Sequence, residues 1–365
     1  MYHTFGCLPW RLMFCPLLLL ALAVRPVMPV QFRELSGSRV PAGVLAETGY
    51  PEPLINYVWT KYGLRAPHNL VATLEVQPPY CHYYKVGPAN IIAALLYVGL
   101  WYIHTYPSTS AMMQRPFKYI GRVSKRKFYE MVVPVLRAFS DAMDEIYYND
   151  RLHPMNHGLG IFANFVTCFV DTAPIYVLEP TNKALRDMLA QPKYGGCVYK
   201  FQIAVNFLGW ICYYSGPHHG VVPDNVIYHR TYHQHPLRSW EYWCGDGIYN
   251  SCYGVITRFI LQARGVFTRF QVFMNRWINR YRQRVEHTMH SIKAHHAMWS
   301  GVKFRGSFPM LSLCLKLTVH MTNANIKHAW EPQAFHKYQG YYAAWPAVRC
   351  HCHIIPMIHI DNFSV

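Results

Sequence analysis

At 365 residues and 52% apolar content, the chain is long enough for one large domain or two ordinary ones and can bury a core, which excludes a disordered tail. Lys and Arg number 35 against 18 Asp and Glu, and the formal charge of +17 favours an anionic partner, either nucleic acid or an acidic membrane surface. The 11 cysteines form no C-x-x-C pair, which argues against a disulfide framework and a zinc ribbon and fits a reducing compartment.

Residues 1–45 read as a leader followed by a Pro/Gly/Ser-rich linker. Arg11 precedes the apolar run Leu12–Val24, and Arg25 and several prolines follow, the layout of a signal peptide. At 13 residues, with Pro16 inside it, the run is too short to span a bilayer. No small-x-small cleavage site stands out.

From 50 to 150 the pattern is helical. Asn90–His104 is a strongly apolar helix, Pro107 breaks it, and a short helix opens at Ser108 or Thr109. Gly121–Val123 reads as a turn before a longer helix from Ser124 to about Met143, with Ser124 as N-cap and a kink at Pro134. Lys125, Arg126 and Lys127 occupy its first turn, where cations oppose the helix dipole unless that end faces phosphates. Two readings stay open: a helix-turn-helix DNA-binding unit, or a helical bundle with a solvated basic corner.

After Asp150 the period changes. Phe165–Val170 is an unbroken apolar run, as expected of a strand covered on both faces, and Asp171 follows at its end. Lys200–Asn206 and Trp210–Ser215 read as a hairpin turning at Phe207–Gly209, and Trp240–Cys244 as a short strand ending at Gly245-Asp246-Gly247. Gln271 to about Ala297 is helical and basic with Glu286 as its only carboxylate, and Ser307–Met321 is an apolar helix. Strands with helices around them indicate an α/β domain over 160–330, followed by a tail over 331–365. In that tail Cys350-His351-Cys352-His353 has soft-metal ligand types, but its spacing is not that of a zinc site.

Carboxylates are scarce, so those in tight contexts stand out. Asp171 and Asp246 fall at the ends of apolar strands, where α/β sheets place their chemistry. Helical spacing puts Arg282, Glu286, His290 and Lys293 on one face, with Arg276, Arg280 and Arg284 nearby. Three carboxylates converging from separate elements suffice to hold the two divalent ions that phosphodiester cleavage uses, and Mg²⁺ or Mn²⁺ prefers such oxygens. Taken singly, each acid has a bland reading: a strand-end cap, a Gly-flanked turn, and a surface pair with Arg282.

The segments Phe169-Val170-Asp171-Thr172, Gly245-Asp246-Gly247-Ile248-Tyr249 and Arg284-Val285-Glu286-His287-Thr288-Met289-His290-Ser291-Ile292-Lys293 resemble, in order and spacing, three blocks of the Harbinger-like DDE superfamily endonucleases. Between the first two, Ser215-Gly216-Pro217-His218-His219-Gly220-Val221-Val222-Pro223-Asp224 is similar to the family's Gly-rich block ending in His-Asp. The helices from Asn90 to Met143, with the Ser-Lys-Arg-Lys opening at Ser124, are similar to the helix-turn-helix segment that precedes the nuclease in these proteins.

The resemblance implies a ribonuclease H-like mixed sheet flanked by helices, preceded by a helix-turn-helix domain. Asp171 would lie on the first strand, Asp246 after the fourth and Glu286 on the following helix, together forming the catalytic and metal-binding triad. The implied activity is cleavage of DNA phosphodiesters and strand transfer with two Mg²⁺ (or Mn²⁺) ions. Asp224 is a secondary, structural acid, and DNA contacts fall to Lys125, Arg126, Lys127, Arg282, Arg284 and Lys293. Implied partners are DNA, an accessory DNA-binding protein and further copies of the chain, with no small-molecule cofactor. The implied compartment is the nucleus, with secretion as the alternative if the leader is a signal peptide. Some residues depart from the pattern: Asp171-Thr172-Ala173-Pro174 replaces the commoner Asp-Gly-Thr, and Pro223 stands where His is usual. A catalytically inactive, domesticated DNA-binding protein is the alternative function.

Overall fold

The computed structural model describes residues 46–62, 88–114, 124–153, 165–260, 265–294 and 296–329. The leader run Leu12–Val24, the Gly121–Val123 turn and the Cys350–His353 cluster lie outside them.

Among the described residues, helices α1 (Glu52–Tyr62), α2 (Pro88–Thr105), α3 (Thr109–Gln114) and α4 (Lys125–Ala142) precede the sheet. Their starts follow local chemistry. The Ser108 hydroxyl accepts from the Ala111 amide at 3.2 Å, and the Ser124 hydroxyl accepts from the Lys127 amide at 3.3 Å. Along α4, Phe128, Met131, Val132, Val135, Leu136 and Phe139 recur at helical spacing and are all buried. This stripe packs on α2 and on the last helix, α8 (Phe308–Ala329), while Lys125 and Arg126 stay exposed at the helix start. Pro134 is tolerated inside α4. At the α2–α4 crossing the backbones come so close that a Cβ on Gly99 would lie 2.4 Å from Leu136 Cδ2.

The rest is a mixed sheet with helices on both faces. Its strands are β1 (Val166–Tyr176), β2 (Ala190–Gln191), β3 (Gly196–Val205), β4 (Ile211–His219), β5 (Tyr242–Cys244) and β6 (Val255–Ile256). The order is β4-β3-β1-β5-β6, with short β2 also paired to β3. β3 runs antiparallel to both β4 and β1, whereas β5 and β6 run parallel to β1. Helix α5 (Lys183–Leu189) precedes β2, α6 (Asp224–Thr231) precedes β5, and α7 (Arg269–Ala294) follows β6.

Side chains on β1 alternate between two apolar clusters, as a strand covered on both faces requires. Phe169, Ala173 and Ile175 join the cluster of α7 and α8, and Cys168 and Val170 join Tyr228, Trp243 and Tyr249 on the other side. The first cluster runs without interruption from Tyr50 to Ala324, so the N-terminal helices and the sheet share one core. Six described cysteines, Cys168, Cys197, Cys212, Cys244, Cys252 and Cys314, are free and buried. No described helix is long and apolar enough to cross a membrane.

The hairpin expected over Lys200–Ser215 forms, and its strands extend further than the local pattern suggested. Asp171 is a correction: it lies inside β1, not at its end. Beyond it the ladder to β3 continues from Thr172↔Gln202 to Tyr176↔Val198, and a strand with one intact neighbour does not stop at a charged residue.

Buried polar groups tie the layers together. Arg151 makes two hydrogen bonds to Glu241, at 2.6 and 3.2 Å, and Thr167 donates to the same carboxylate at 2.6 Å, fastening the lead-in of β5 to β1. Glu145, buried at the end of α4, accepts from Lys61 at 2.8 Å and from Tyr62 at 2.5 Å. Burial pushes the Glu145 carboxyl up, but the Lys61 and Tyr62 hydrogen bonds outweigh it and hold it below its ordinary value. The Glu145 amide donates to His320 Nδ1 at 3.2 Å, so that ring nitrogen is an acceptor and the imidazole is neutral.

Gly99→Val should destabilise the fold by about 1–3 kcal/mol through overpacking against Leu136, read as a lower urea midpoint. A second outcome concerns acid. Burial lowers His320 and His235 to about 4, below the unfolded value near 6.5. The unfolded chain therefore binds more protons between those values, and stability is full above about pH 6.5 and lost as pH falls toward 4. Melting temperature should drop across that window, and His320→Gln should flatten part of the slope.

Candidate active site

Strand register brings the first two acids together. β1 and β5 run parallel with Phe169 opposite Cys244, and that pair is the last of their ladder. Two residues further along each chain stand Asp171 and Asp246. Asp171 thus sits where β1 loses its neighbour on one side and keeps β3 on the other, the kind of crevice beyond strand ends that α/β sheets use for binding. Because side chains alternate, Asp171 projects to the same face as Phe169, whose ring contacts Trp277 and Tyr281 of α7 at 6.2 Å.

The Asp246 turn is held from behind. Asp246 Oδ1 accepts from the Ile248 amide at 3.1 Å and caps the short turn Gly247–Tyr249. Gly245 must be glycine here, since a Cβ would meet the Tyr249 ring at 2.7 Å. The Tyr249 hydroxyl lies 2.8 Å from Thr172 Oγ1 and accepts from Gln202 Nε2 at 3.0 Å, so the turn carrying Asp246 is tied to β1, which carries Asp171, and to its neighbour β3. Gln202 also donates to the Asp224 carbonyl at 3.2 Å. Thr172, Gln202 and Tyr249 carry no charge, and sequence reasoning did not single them out as a supporting group. Thr172 and Tyr249 stand close to Asp171 and Asp246 in the chain, which is a local signal; Gln202, on a different strand, has none.

Asp224 is buried at the start of α6 and paired with Lys200 Nζ at 3.0 Å. Lys200 also donates to the Val222 carbonyl at 2.9 Å. With its charge compensated this way, Asp224 anchors α6 to β3.

Glu286 comes from α7, which packs through Trp277, Ile278, Tyr281, Val285, Met289 and Ile292. Of the face expected to carry Arg282, Glu286, His290 and Lys293, Arg282 reaches β1 and Lys293 lies near Asp171, whereas Glu286 and His290 are exposed. Arg282 Nη1 donates to Asp171 Oδ2 at 3.4 Å, and its Nη2 donates to Glu286 Oε1. Glu286 thus approaches the two aspartates through the Arg282 guanidinium. Arg284, two residues on and about 200° around the helix, lies on a different face. Lys125, Arg126 and Lys127 stand at the start of α4, where Arg126 and Lys127 pair with Glu130 at 2.7 and 3.8 Å.

Electrostatics reflect this crowding. Burial pushes the Asp171 carboxyl up to about 6, with the charges of Asp246 and Asp224 adding to the rise and the Thr172 amide and Arg282 opposing it. Burial lowers the Lys293 ammonium to about 8, and Asp171 pulls it back up. Among the described residues, no three His, Cys, Asp or Glu side chains lie close enough to hold a metal ion. Asp171 and Asp246 are a mutually repelling pair of hard oxygen donors, which suits a divalent cation; Glu286 would complete the set only after parting from Arg282.

Residues 170–323 match the model of the family described as DDE superfamily endonuclease. This segment is similar to a DDE-type, transposase-derived nuclease. The DDE match runs from β1 into α8 and contains Asp171, Asp224, Asp246 and Glu286, and the mixed sheet flanked by helices fits a DDE nuclease fold. No curated protein and no solved structure matches the chain.

Tyr249→Phe should take one hydrogen-bond partner from each of the buried Thr172 and Gln202 side chains and cost about 1–3 kcal/mol, read by chemical denaturation. Thr172→Val combined with Tyr249→Phe should cost less than the sum of the two single changes, because the hydroxyls are partners.

Proposed function

We propose that the chain is a metal-dependent DNA endonuclease of the Harbinger-like branch of the DDE group, built on a ribonuclease H-like sheet, with Asp171, Asp246 and Glu286 as its triad. The observation that carries this reading is the parallel β1–β5 register, which sets Asp171 and Asp246 side by side inside the segment matching the DDE family. The formal charge of +17 supports DNA as the partner.

In this reading Asp171 and Asp246 would hold two Mg²⁺ or Mn²⁺ ions, with Glu286 as third ligand. Bound there, such ions activate the attacking oxygen and stabilise the leaving oxygen of an in-line displacement at a phosphodiester. The chain's own residues do the rest. Tyr249, Thr172 and Gln202 keep the two aspartates in fixed relation, Lys200 compensates Asp224, and Lys293 adds positive charge beside Asp171 where a phosphate would dock. Arg282 and Arg284 are proposed DNA contacts on α7. Lys125, Arg126 and Lys127 are proposed contacts at the α4 N-terminus, within a helix-turn-helix role for the preceding domain. Strand transfer, an accessory DNA-binding protein, assembly with further copies and a nuclear location belong to the same proposal.

A second reading has one observation in its favour: the Arg282 bridge satisfies Asp171 and Glu286 as ordinary ion pairs, as a DNA-binding protein that had lost catalysis would need. Nicking assays separate the two. Supercoiled DNA bearing candidate element ends should be nicked with Mg²⁺ or Mn²⁺ and not with EDTA. Asp246→Ala should lower the rate at least about a hundredfold while leaving DNA affinity measured in EDTA within about twofold. Folded wild-type protein that binds DNA but cuts with neither metal would establish the second reading.

A further inference from the structure

Both oxygens of Asp171 are occupied. Oδ1 accepts from the Thr172 amide at 2.8 Å and Oδ2 from Arg282 Nη1 at 3.4 Å. The other terminal nitrogen of the same guanidinium holds Glu286 Oε1. One planar cation therefore spans two acids that come from different elements, β1 and α7, and its side chain is only 21% exposed. Its Nε is buried with no hydrogen-bond partner among the described residues, so the group is held by its two carboxylate contacts.

The two donors to Asp171 differ in how easily they can leave. The Thr172 amide belongs to the backbone of a strand paired with β3 and cannot turn away without breaking the sheet. Arg282 reaches the carboxylate on a long flexible stem. It also cannot shed its proton, so it leaves only by exchanging one anion for another. A phosphate is the natural replacement, because the guanidinium fork matches its oxygens in bidentate fashion.

We propose that Arg282 is an exchangeable counter-cation: it holds Asp171 and Glu286 before a divalent ion binds, and moves to a DNA phosphate when the ion takes those carboxylates. This rests on the metal-dependent reading above and adds to it a coupling: ion and DNA each help the other to bind, since one takes the carboxylates and the other takes the arginine. Ions alone then bind weakly, and the site is completed when nucleic acid arrives.

The test uses the full chain and Mn²⁺ as probe, followed by calorimetry or by the paramagnetic signal of free Mn²⁺, without DNA. Arg282→Gln should bind Mn²⁺ about fivefold more tightly than wild type, because the competitor is gone. Affinity for a DNA duplex, measured with non-cleaving Ca²⁺ against EDTA, should rise with the ion in wild type and lose most of that rise in Arg282→Gln. A circular-dichroism melt establishes that the variant is folded; should it not fold, Arg282→Lys, which can reach one carboxylate at a time, takes its place with a smaller gain. Unchanged or weaker Mn²⁺ binding by the folded variant, with binding abolished in Asp246→Ala, overturns the exchange and leaves the metal reading standing. Absence of Mn²⁺ binding in wild type and variant alike overturns both.

Discussion

The β1–β5 ladder ends at Phe169 and Cys244, and the candidate site depends on that point. Up to it β1 has neighbours on both sides; past it β1 keeps β3 alone until Phe304 bridges its far end at Val177, and β5 turns away through Gly245 and Asp246. A strand buried on both faces leaves little room for a carboxylate, but at this opening one can reach toward α7 without being walled in. The same geometry places the second aspartate at the matching position of the neighbouring strand, so two charges that repel each other share a half-buried space.

Holding such a pair together needs neutral polar support, since another anion would worsen the repulsion and an apolar wall would leave groups unsatisfied. Thr172, Tyr249 and Gln202 supply it with hydroxyl and amide groups beneath the strands. Further out the charges are paired within the core, Lys200 with Asp224 and Arg151 with Glu241. These buried pairs gain little over apolar packing, but loss of one partner would strand the other, so they hold the layers in one arrangement. At the mouth of the site the cation is Arg282, in contact with both Asp171 and Glu286.

Organisation of the rest follows from the need to bury apolar surface. α7 and α8 cover one face of the sheet, and α6 with the Tyr249 turn covers the other. Helices α1 and α4 pack on α8, and α2 and α3 pack on α4, which joins the N-terminal helices to the same core through α8. Between Asp246 and Glu286 the sequence contains no other carboxylate, so α7 brings a single negative charge to the site on a strongly basic helix.

Much of this was legible locally. The apolar run before Asp171, the Ser124 cap, the hairpin around Gly209 and the long basic helix carrying Glu286 follow from periodicity and turn chemistry, which act over a few residues. Scarcity of acids in a basic chain made Asp171, Asp246 and Glu286 conspicuous, and local spacing put Arg282 one turn from Glu286. Tertiary pairing alone decided that Asp171 lies within its strand, that Lys200 compensates Asp224, that Tyr249 underpins the site, and that Arg282 reaches across to β1. Which strand lies beside which, and at what register, depends on burying two whole faces at once. No short stretch of sequence carries that information, so the acids and the pairing of Arg282 with Glu286 could be read from the chain, but the reach of Arg282 to Asp171 could not.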